Sequence, residues 1–473
     1  MKIHNVRLGL ATNSSSSHSI VFLPNPDAVQ DHDTSGGEFG SNNFTAKDEA
    51  SKRDYLALTL GYHLTAQCGS DVAEAVIRSW VGKPSQGYID HQSVLSLPLG
   101  WDGKGIDKLF WDEFQRFVLR PDVAILGGGD GDRHPLEAVT KRTGCDDLMK
   151  DSSDGCLVAK KDPSGFWTLF SRTDGTKIRL SFDENVNPKH SASPELVDVK
   201  ITDFCDAGCE YCYQDSTTAG KHAGDQEMYR LSSVLGEMRV FEVAIGGGEP
   251  TKHPRFTQTL DQFRYFGIVP NFTTKSLEWM KNEKMRHQIL EKCGAFAYSA
   301  QTPRDTKRLY DQCKKYDLQI EHHYTGGTKV SVQHVMGMET REEFKAFLMS
   351  CRGRVTLLGY KDVGRGKSLN RKNYDWWIDV VKEVTAKNYL QIGVDTAITS
   401  EYRKQLINAG ISRHLFTTNE GSYSMYIDAV NMKAGPSSYH ESALQACELN
   451  SEDQILTVYN SFMSSIVRDA ISA

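Results

Sequence analysis

The residues best placed to do chemistry are three cysteines on one short segment, Thr202-Asp203-Phe204-Cys205-Asp206-Ala207-Gly208-Cys209-Glu210-Tyr211-Cys212-Tyr213. Three thiolates this close can converge on a single inorganic centre. Thiolate is the soft ligand that iron–sulfur clusters and zinc select. The spacing is C-x3-C-x2-C, and Gly208 lets the chain turn between the ligands. A structural zinc ion normally takes four protein ligands, often as two C-x2-C halves. The next cysteine here is Cys293. A cluster held by three thiolates leaves one iron open for a cofactor or substrate. Zinc, or a chance grouping of buried thiols, would also account for the triplet taken alone.

A second run, Gly246-Gly247-Gly248-Glu249-Pro250, follows some thirty residues later. Its glycines permit close backbone approach to a polar ligand, and Glu249 can pair with an ammonium group. Most glycine-rich turns are only turns. This one gains weight from its place relative to the cysteines.

The elements that must position these residues alternate regularly from residue 196 onward. β-rich runs fall at 197–201, 240–245, 269–273, 295–299, 330–335, 355–358 and 390–394. Amphipathic helical stretches lie between them, such as 277–292 and 376–386. Repeated βα units imply a parallel sheet with helices outside it. Six or seven units fit a partial TIM-like barrel better than a complete eight-fold one, with chemistry at the C-terminal ends of the strands. The cysteines directly follow the first strand, and the Gly-Gly-Gly-Glu-Pro run ends the second.

Residues 1–190 have a different, Gly/Ser/Asp-rich texture and predict a separate α+β domain of unknown role. A β-meander closes it, with strands at 156–161, 166–172 and 177–182 and turns at Asp162-Pro163-Ser164-Gly165 and Thr173-Asp174-Gly175. Residues 185–194 read as a linker. The barrel is then assigned to 195–400 and a short C-terminal extension to 401–473, with a closing helix at 452–470.

With 473 residues, the chain is long enough for two or three domains. Hydrophobic residues make up 39% and charged residues 25%, a globular balance. The net charge of −6 argues against a protein whose main task is gripping a phosphate backbone. No apolar run approaches the ~20 residues needed to span a bilayer, and the N-terminus lacks the pattern of a secretory signal. A cytoplasmic location with no membrane partner is expected. Ten cysteines are too few for a disulfide scaffold of this size.

The C-x3-C-x-Tyr-C motif after a first strand, with Gly-Gly-Glu-Pro one βα unit later, resembles the radical S-adenosylmethionine superfamily. The resemblance spans residues 195–428. It implies that Cys205, Cys209 and Cys212 bind three irons of a [4Fe–4S] cluster, with Tyr211 as the family's aromatic position. The fourth iron would be chelated by S-adenosylmethionine, which is then cleaved reductively to a 5′-deoxyadenosyl radical. Gly247, Gly248 and Glu249 would hold the cofactor's amino group. Thr273 and Ser299, with Gln333 and His334, sit where family members contact the ribose and carboxylate. These positions also suit ordinary polar strand caps. An electron donor such as flavodoxin or ferredoxin is implied.

Peptide-modifying members append a cysteine-rich C-terminal module. This chain departs from that pattern. Ser422, Ser424, Ser437 and Ser438 stand where cysteines might, so the extension reads as a degenerate auxiliary module. Cys68, Cys145, Cys156, Cys293, Cys313, Cys351 and Cys447 read as buried small residues.

Lys361 and Asp395, after the sixth and seventh strands, are the catalytic candidates. Lys361 or Arg365 would face an anionic group, and Asp395 would bind substrate, transfer a proton or cap a loop. The Asn13-Ser14-Ser15-Ser16-Ser17-His18 run reads as a polar loop or an anion-binding segment. Residues 127–132, which lack EF-hand spacing, read as a turn. The expected substrate is a peptide or protein. A nucleotide or nucleic acid base, suggested by the glycines and basic residues of 361–367, is the alternative. A non-catalytic metal-binding scaffold is the reading from another class.

Overall fold

The structure, a computed structural model, describes residues 2–7, 38–39, 44–89, 94–95, 97–127, 157–183, 185–318, 320, 329–369, 371–388, 390–411 and 420–472. It divides into two compact units. The first gathers Met1–Val6, His18–Ser171 and Lys177–Asn187, and the second Arg7–Ser17, Arg172–Thr176 and Pro188–Ala473.

The first unit contains β1 (Lys2–Arg7), β2 (Glu38–Phe39), β3 (Phe44–Ala46), α1 (Glu49–Cys68), α2 (Ser70–Val81), β4 (Tyr88–Ile89), α3 (Lys108–Val118), β5 (Ile125–Gly127), β6 (Leu157–Lys161), β7 (Trp167–Ser171) and β8 (Lys177–Ser181). The expected meander is present as β6, β7 and β8, which pair antiparallel in the order β1-β8-β7-β6. Its first turn closes through the Gly165 amide on the Asp162 carbonyl at 2.9 Å. Phe110, Trp111, Phe114 and Phe117 of α3 bury against Trp167, Leu169 and Leu180 of that sheet.

The second unit runs β9 (Leu196–Thr202), α4 (Asp225–Glu237), β10 (Glu242–Gly247), α5 (Phe256–Tyr265), β11 (Val269–Thr274), α6 (Glu283–Lys292), β12 (Phe296–Ser299), α7 (Pro303–Lys315), β13 (Val330–Val335), α8 (Arg341–Ser350), β14 (Gly353–Leu358), α9 (Trp377–Thr385) and β15 (Leu390–Val394). There follow α10 (Thr396–Glu401), α11 (Arg403–Asn408), β16 (Ser424–Asp428), β17 (Lys433–Gly435), β18 (Gln445–Ala446) and α12 (Glu452–Ser472). β9 to β15 lie side by side in chain order, all parallel, which is the strand order of a barrel.

One feature departs from the sequence expectation. β16 pairs in parallel with β9 on the side away from β10. The sheet therefore has eight parallel strands, not six or seven, and β17 and β18 extend it antiparallel. Among the described residues β15 pairs with β14 alone, so the sheet stays open. The segment after residue 400 supplies part of the barrel sheet itself. Reading its serines as displaced cysteines hid the alternation Ser424-Met425-Tyr426-Ile427-Asp428.

That alternation recurs along the sheet and assigns its two faces. Val197, Val199 and Ile201 of β9, Val243 and Ile245 of β10, and Met425 and Ile427 of β16 join the core with helix residues such as Leu231, Leu260 and Phe347. The intervening residues, including Asp198, Lys200, Glu242, Asn271, Thr273, Ser331, Gln333 and Tyr426, share the opposite face, which is polar. The helices start where capping residues put them. Thr302 with Asp305 and Thr340 with Glu343 form capping boxes at α7 and α8. Asn282 accepts from the Met285 amide, so the helix expected at 277–292 begins at Glu283, after a short 3-10 turn. Among the described residues no helix is long and apolar enough to cross a membrane.

Candidate active site

The cysteine loop is pinned at its base. The Asp203 amide donates to the Lys221 carbonyl at 2.7 Å, and the Cys205 amide to the Thr217 carbonyl at 2.9 Å. Thr202 Oγ1 accepts from the Phe204 amide at 2.9 Å and meets His222 Nδ1 at 2.8 Å. The three cysteines are free thiols, each partly buried. The Ala207 amide points at Cys205 Sγ from 3.5 Å, the kind of backbone donation that tunes cluster sulfurs. Burial raises the Cys205 pKa, with Glu249, Cys209 and Cys212 adding to it and the Ala207 amide opposing. A positive centre is what would draw out the thiolate there.

Among the described residues no three His, Cys, Asp or Glu side chains are grouped as ligands of a single ion. Three thiols on one loop, each able to take a separate iron, fit a multi-iron cluster as a donor set.

Two elements clasp this loop. From β10, the Gly248 amide donates to the Thr202 carbonyl at 2.7 Å and the Glu249 amide to the Phe204 carbonyl at 2.8 Å. A Cβ on Gly248 would stand 2.1 Å from the Phe204 carbonyl oxygen, so glycine is required by the close approach. The β9–β10 register shifts between Gly246 and Gly247, a bulge that re-aims the strand end. From the segment after β14, the Arg365 amide donates to the Cys212 carbonyl at 3.0 Å and its Nε to the Cys209 carbonyl at 3.0 Å. The Arg365 guanidinium also reaches Asp215 Oδ1 at 2.9 Å and the Ser216 carbonyl at 3.1 Å. Gly364 has φ +57, and its Cβ would sit 2.4 Å from the Tyr213 carbonyl oxygen. Arg365 thus holds the loop, where an anionic ligand had been expected.

Glu249 is placed differently from expectation. Its side chain is 2% exposed. Oε1 accepts from Thr251 Oγ1 at 2.6 Å, Thr274 Oγ1 at 2.7 Å and the Thr251 amide at 3.3 Å. Oε2 accepts from the Lys275 amide at 2.9 Å and the Ser276 amide at 3.1 Å. Both oxygens are committed to the chain, so the carboxylate ties the end of β10 to the end of β11. Burial raises its pKa against those bonds. Tyr211 accepts from Lys275 Nζ at 3.2 Å, and burial followed by Cys209 pushes its pKa up.

The remaining strand-end residues fall into two groups. Thr273 and Ser299 lie on the polar face, Thr273 Oγ1 donating to Gln333 Oε1 at 3.2 Å. His334 lies on the helix side. It stacks on Phe347 at 4.1 Å and faces Glu339 at 3.3 Å. Cys293, Cys313, Cys351 and Cys447 are buried as expected, whereas Cys68 is exposed. Cys145, Cys156, the 13–18 run and residues 128–132 lie outside the described residues.

Lys361 and Asp395 are brought together, with partners that sequence reasoning missed. The Lys361 ammonium lies 4.4 Å from the ring centre of Tyr213 and 4.9 Å from that of Tyr439. Asp395 is 3% exposed, and its Oδ1 accepts from the Gly359 amide at 2.9 Å and the Ile398 amide at 3.0 Å. It therefore caps α10. Burial raises its pKa against the pull of Lys361. Burial pushes Asp198 up to about 6 and Glu420 up to about 7, Lys361 opposing in both cases. Glu420 Oε1 accepts from Tyr439 at 2.9 Å. Burial works against the Lys361 charge, but Tyr213, Asp395, Glu420 and Asp198 together raise its pKa. The available signal was Asp198, a charged residue in the middle of an apolar strand.

No protein-family model matches this chain, and no curated protein matches it in sequence. It resembles solved structures of radical S-adenosylmethionine enzymes. Streptococcus suis SuiB bound to precursor peptide SuiA is 15% identical with a TM-score of 0.49, covering 64% of this chain and 87% of that one. The anSMEcpe structure with bound AdoMet and Cp18Cys peptide is 11% identical with a TM-score of 0.39, covering 56% and 80%. Methylornithine synthase (PylB) is 14% identical with a TM-score of 0.30, covering 42% and 65%.

Proposed function

We propose that this chain is a radical S-adenosylmethionine enzyme that abstracts hydrogen from a peptide or protein substrate. The observation that carries the reading is the cysteine loop, clasped from one side by Gly248 and Glu249 and from the other by Arg365. Cys205, Cys209 and Cys212 would hold a [4Fe–4S] cluster. When bound, cluster and S-adenosylmethionine supply a 5′-deoxyadenosyl radical by one-electron reductive cleavage of the sulfonium.

The chain's own residues do the positioning. Glu249 fixes the β10 and β11 ends next to the loop, and Gly246 and Gly247 bring backbone to the same place. The bonds from Arg365 keep the loop carbonyls turned toward the protein. A flavodoxin- or ferredoxin-type donor would deliver the electron.

The peptide assignment draws on the Tyr-flanked cysteine motif and on the separate first unit, where, among the described residues, β1 is an edge strand onto which a peptide can add. The nucleotide alternative leaned on the basic run at 361–367. Arg365 is committed to the loop and Lys361 is faced by carboxylates, which removes the two basic residues of that run nearest the cysteines from the nucleotide reading.

The test is anaerobic purification with iron and sulfide analysis, followed by reduction with S-adenosylmethionine present. Iron with matching sulfide and release of 5′-deoxyadenosine are expected. Zinc without sulfide, or no 5′-deoxyadenosine, would sink the enzyme reading and favour the scaffold.

A further inference from the structure

We propose that Asp198 and Glu420 form a subsite for a cationic substrate group, an alkylammonium or guanidinium carried on a peptide side chain. This rests on the radical-enzyme reading for what happens to the substrate, but its binding stands apart from that reading.

The charges do not balance as they stand. Asp198, Asp395 and Glu420 all act on one ammonium, that of Lys361. None of them makes a contact ion pair with it among the described residues. The Lys361 ammonium rests instead over the faces of Tyr213 and Tyr439. Asp395 spends one oxygen on two backbone amides. Asp198 Oδ1 is out of reach of solvent and has no hydrogen-bond partner among the described residues. A buried carboxylate oxygen without a donor is costly, and natural sites of this kind are completed by something that brings one.

The sign of the ligand follows. Three carboxyl groups around one ammonium leave negative charge in excess, which repels an anion and attracts a cation. The surroundings do not reverse this. Glu242 on β10 adds to the negative field at Asp198, and Tyr439 donates to Glu420 from the other side. His440, beside Lys361, is held toward its neutral form by burial first and by that lysine.

The location suits a substrate. Asp198 lies on the polar face of β9, the strand that leads into the cysteine loop. Tyr213, under the Lys361 ammonium, directly follows Cys212. A side chain docked on Asp198 and Glu420 would thus be held beside the loop.

The experiment is calorimetric titration of the full chain with N-acetyl-lysine amide, N-acetyl-norleucine amide and N-acetyl-glutamate amide. Iron content and S-adenosylmethionine affinity are measured on the same samples, so that loss of the cofactor reading is seen separately. The lysine probe should bind and the other two should not. Its affinity should fall roughly tenfold in Asp198→Asn and in Glu420→Gln, the loss of a charge-assisted hydrogen bond. Lys361→Met should tighten it by removing a like charge, a direction that general damage to the site cannot produce. Preference for the glutamate probe, unchanged lysine binding in both carboxylate variants, or loss of S-adenosylmethionine affinity instead of lysine affinity would each overturn the proposal.

Discussion

Arg365 Nε donates to the carbonyl of Cys209 at 3.0 Å, while the Arg365 amide donates to the carbonyl of Cys212 at 3.0 Å. One residue from the far side of the sheet thus fixes two of the three cysteines through their backbones.

Arg365→Ala should leave the barrel folded and loosen the loop, costing about 1–3 kcal/mol locally. Iron retained after reconstitution should drop, and the cluster's electron paramagnetic resonance signal should broaden. Arg365→Lys should recover only part of this, since an ammonium lacks the planar fork that reaches two carbonyls and Asp215. Full iron loading in Arg365→Ala would show that the clasp is dispensable.

Cys209→Ala should abolish 5′-deoxyadenosine formation while far-ultraviolet circular dichroism stays unchanged. The thiol lies on a loop and contributes little to the core. Retained activity would remove this cysteine from the ligand set.

Glu249→Gln should destabilise the protein by about 3 kcal/mol or more, because an amide NH2 would face donors that a carboxylate now accepts. Denaturant titration measures this. A fall in S-adenosylmethionine affinity with stability intact would return Glu249 to the role of ammonium partner.

The glycines of the same run should differ. Gly246→Ala should be tolerated, since its Cβ would meet nothing within 4 Å, whereas Gly248→Ala would drive a Cβ into the Phe204 carbonyl. Thermal melts of the two variants should separate by several degrees, the shift expected of roughly 1–3 kcal/mol.

Asp198 carries a pH signature. Its folded pKa, about 6, lies above the ordinary carboxylate value. The native state therefore holds this proton more tightly than the unfolded chain. Stability from this group is complete below about pH 4 and is lost as pH rises through 6. Asp198→Asn should flatten that slope and raise the unfolding free energy near pH 8, by an amount on the order of 1 kcal/mol. A steeper slope in the variant would contradict the burial argument.

Much of this architecture was readable in the chain. The runs at 330–335 and 390–394 match β13 and β15 end to end, because apolar residues alternate through 330–333 and along the whole of 390–394. The cysteine motif located the loop for a similar reason, being compact in sequence. What the chain hid was long-range. Lys361 comes within electrostatic reach of Asp198 and Glu420 from segments far apart in sequence, and no local spacing encodes that. The bonds around Glu249 were not legible, because three of its five donors come from residues 274–276, at and just beyond the end of β11. Ser424 was misread because a serine at a strand start looks like a lost cysteine when only loops are sought.

The pairing of β16 with β9 has a kinetic meaning. Lys200 and its partner Asp428 are 228 residues apart in sequence. While the chain is being synthesised, β9 waits as a bare edge until nearly all the rest has emerged, exposed to wrong partners throughout. High contact order of this kind slows folding. The strand that leads into the cysteine loop is thus among the last to be enclosed.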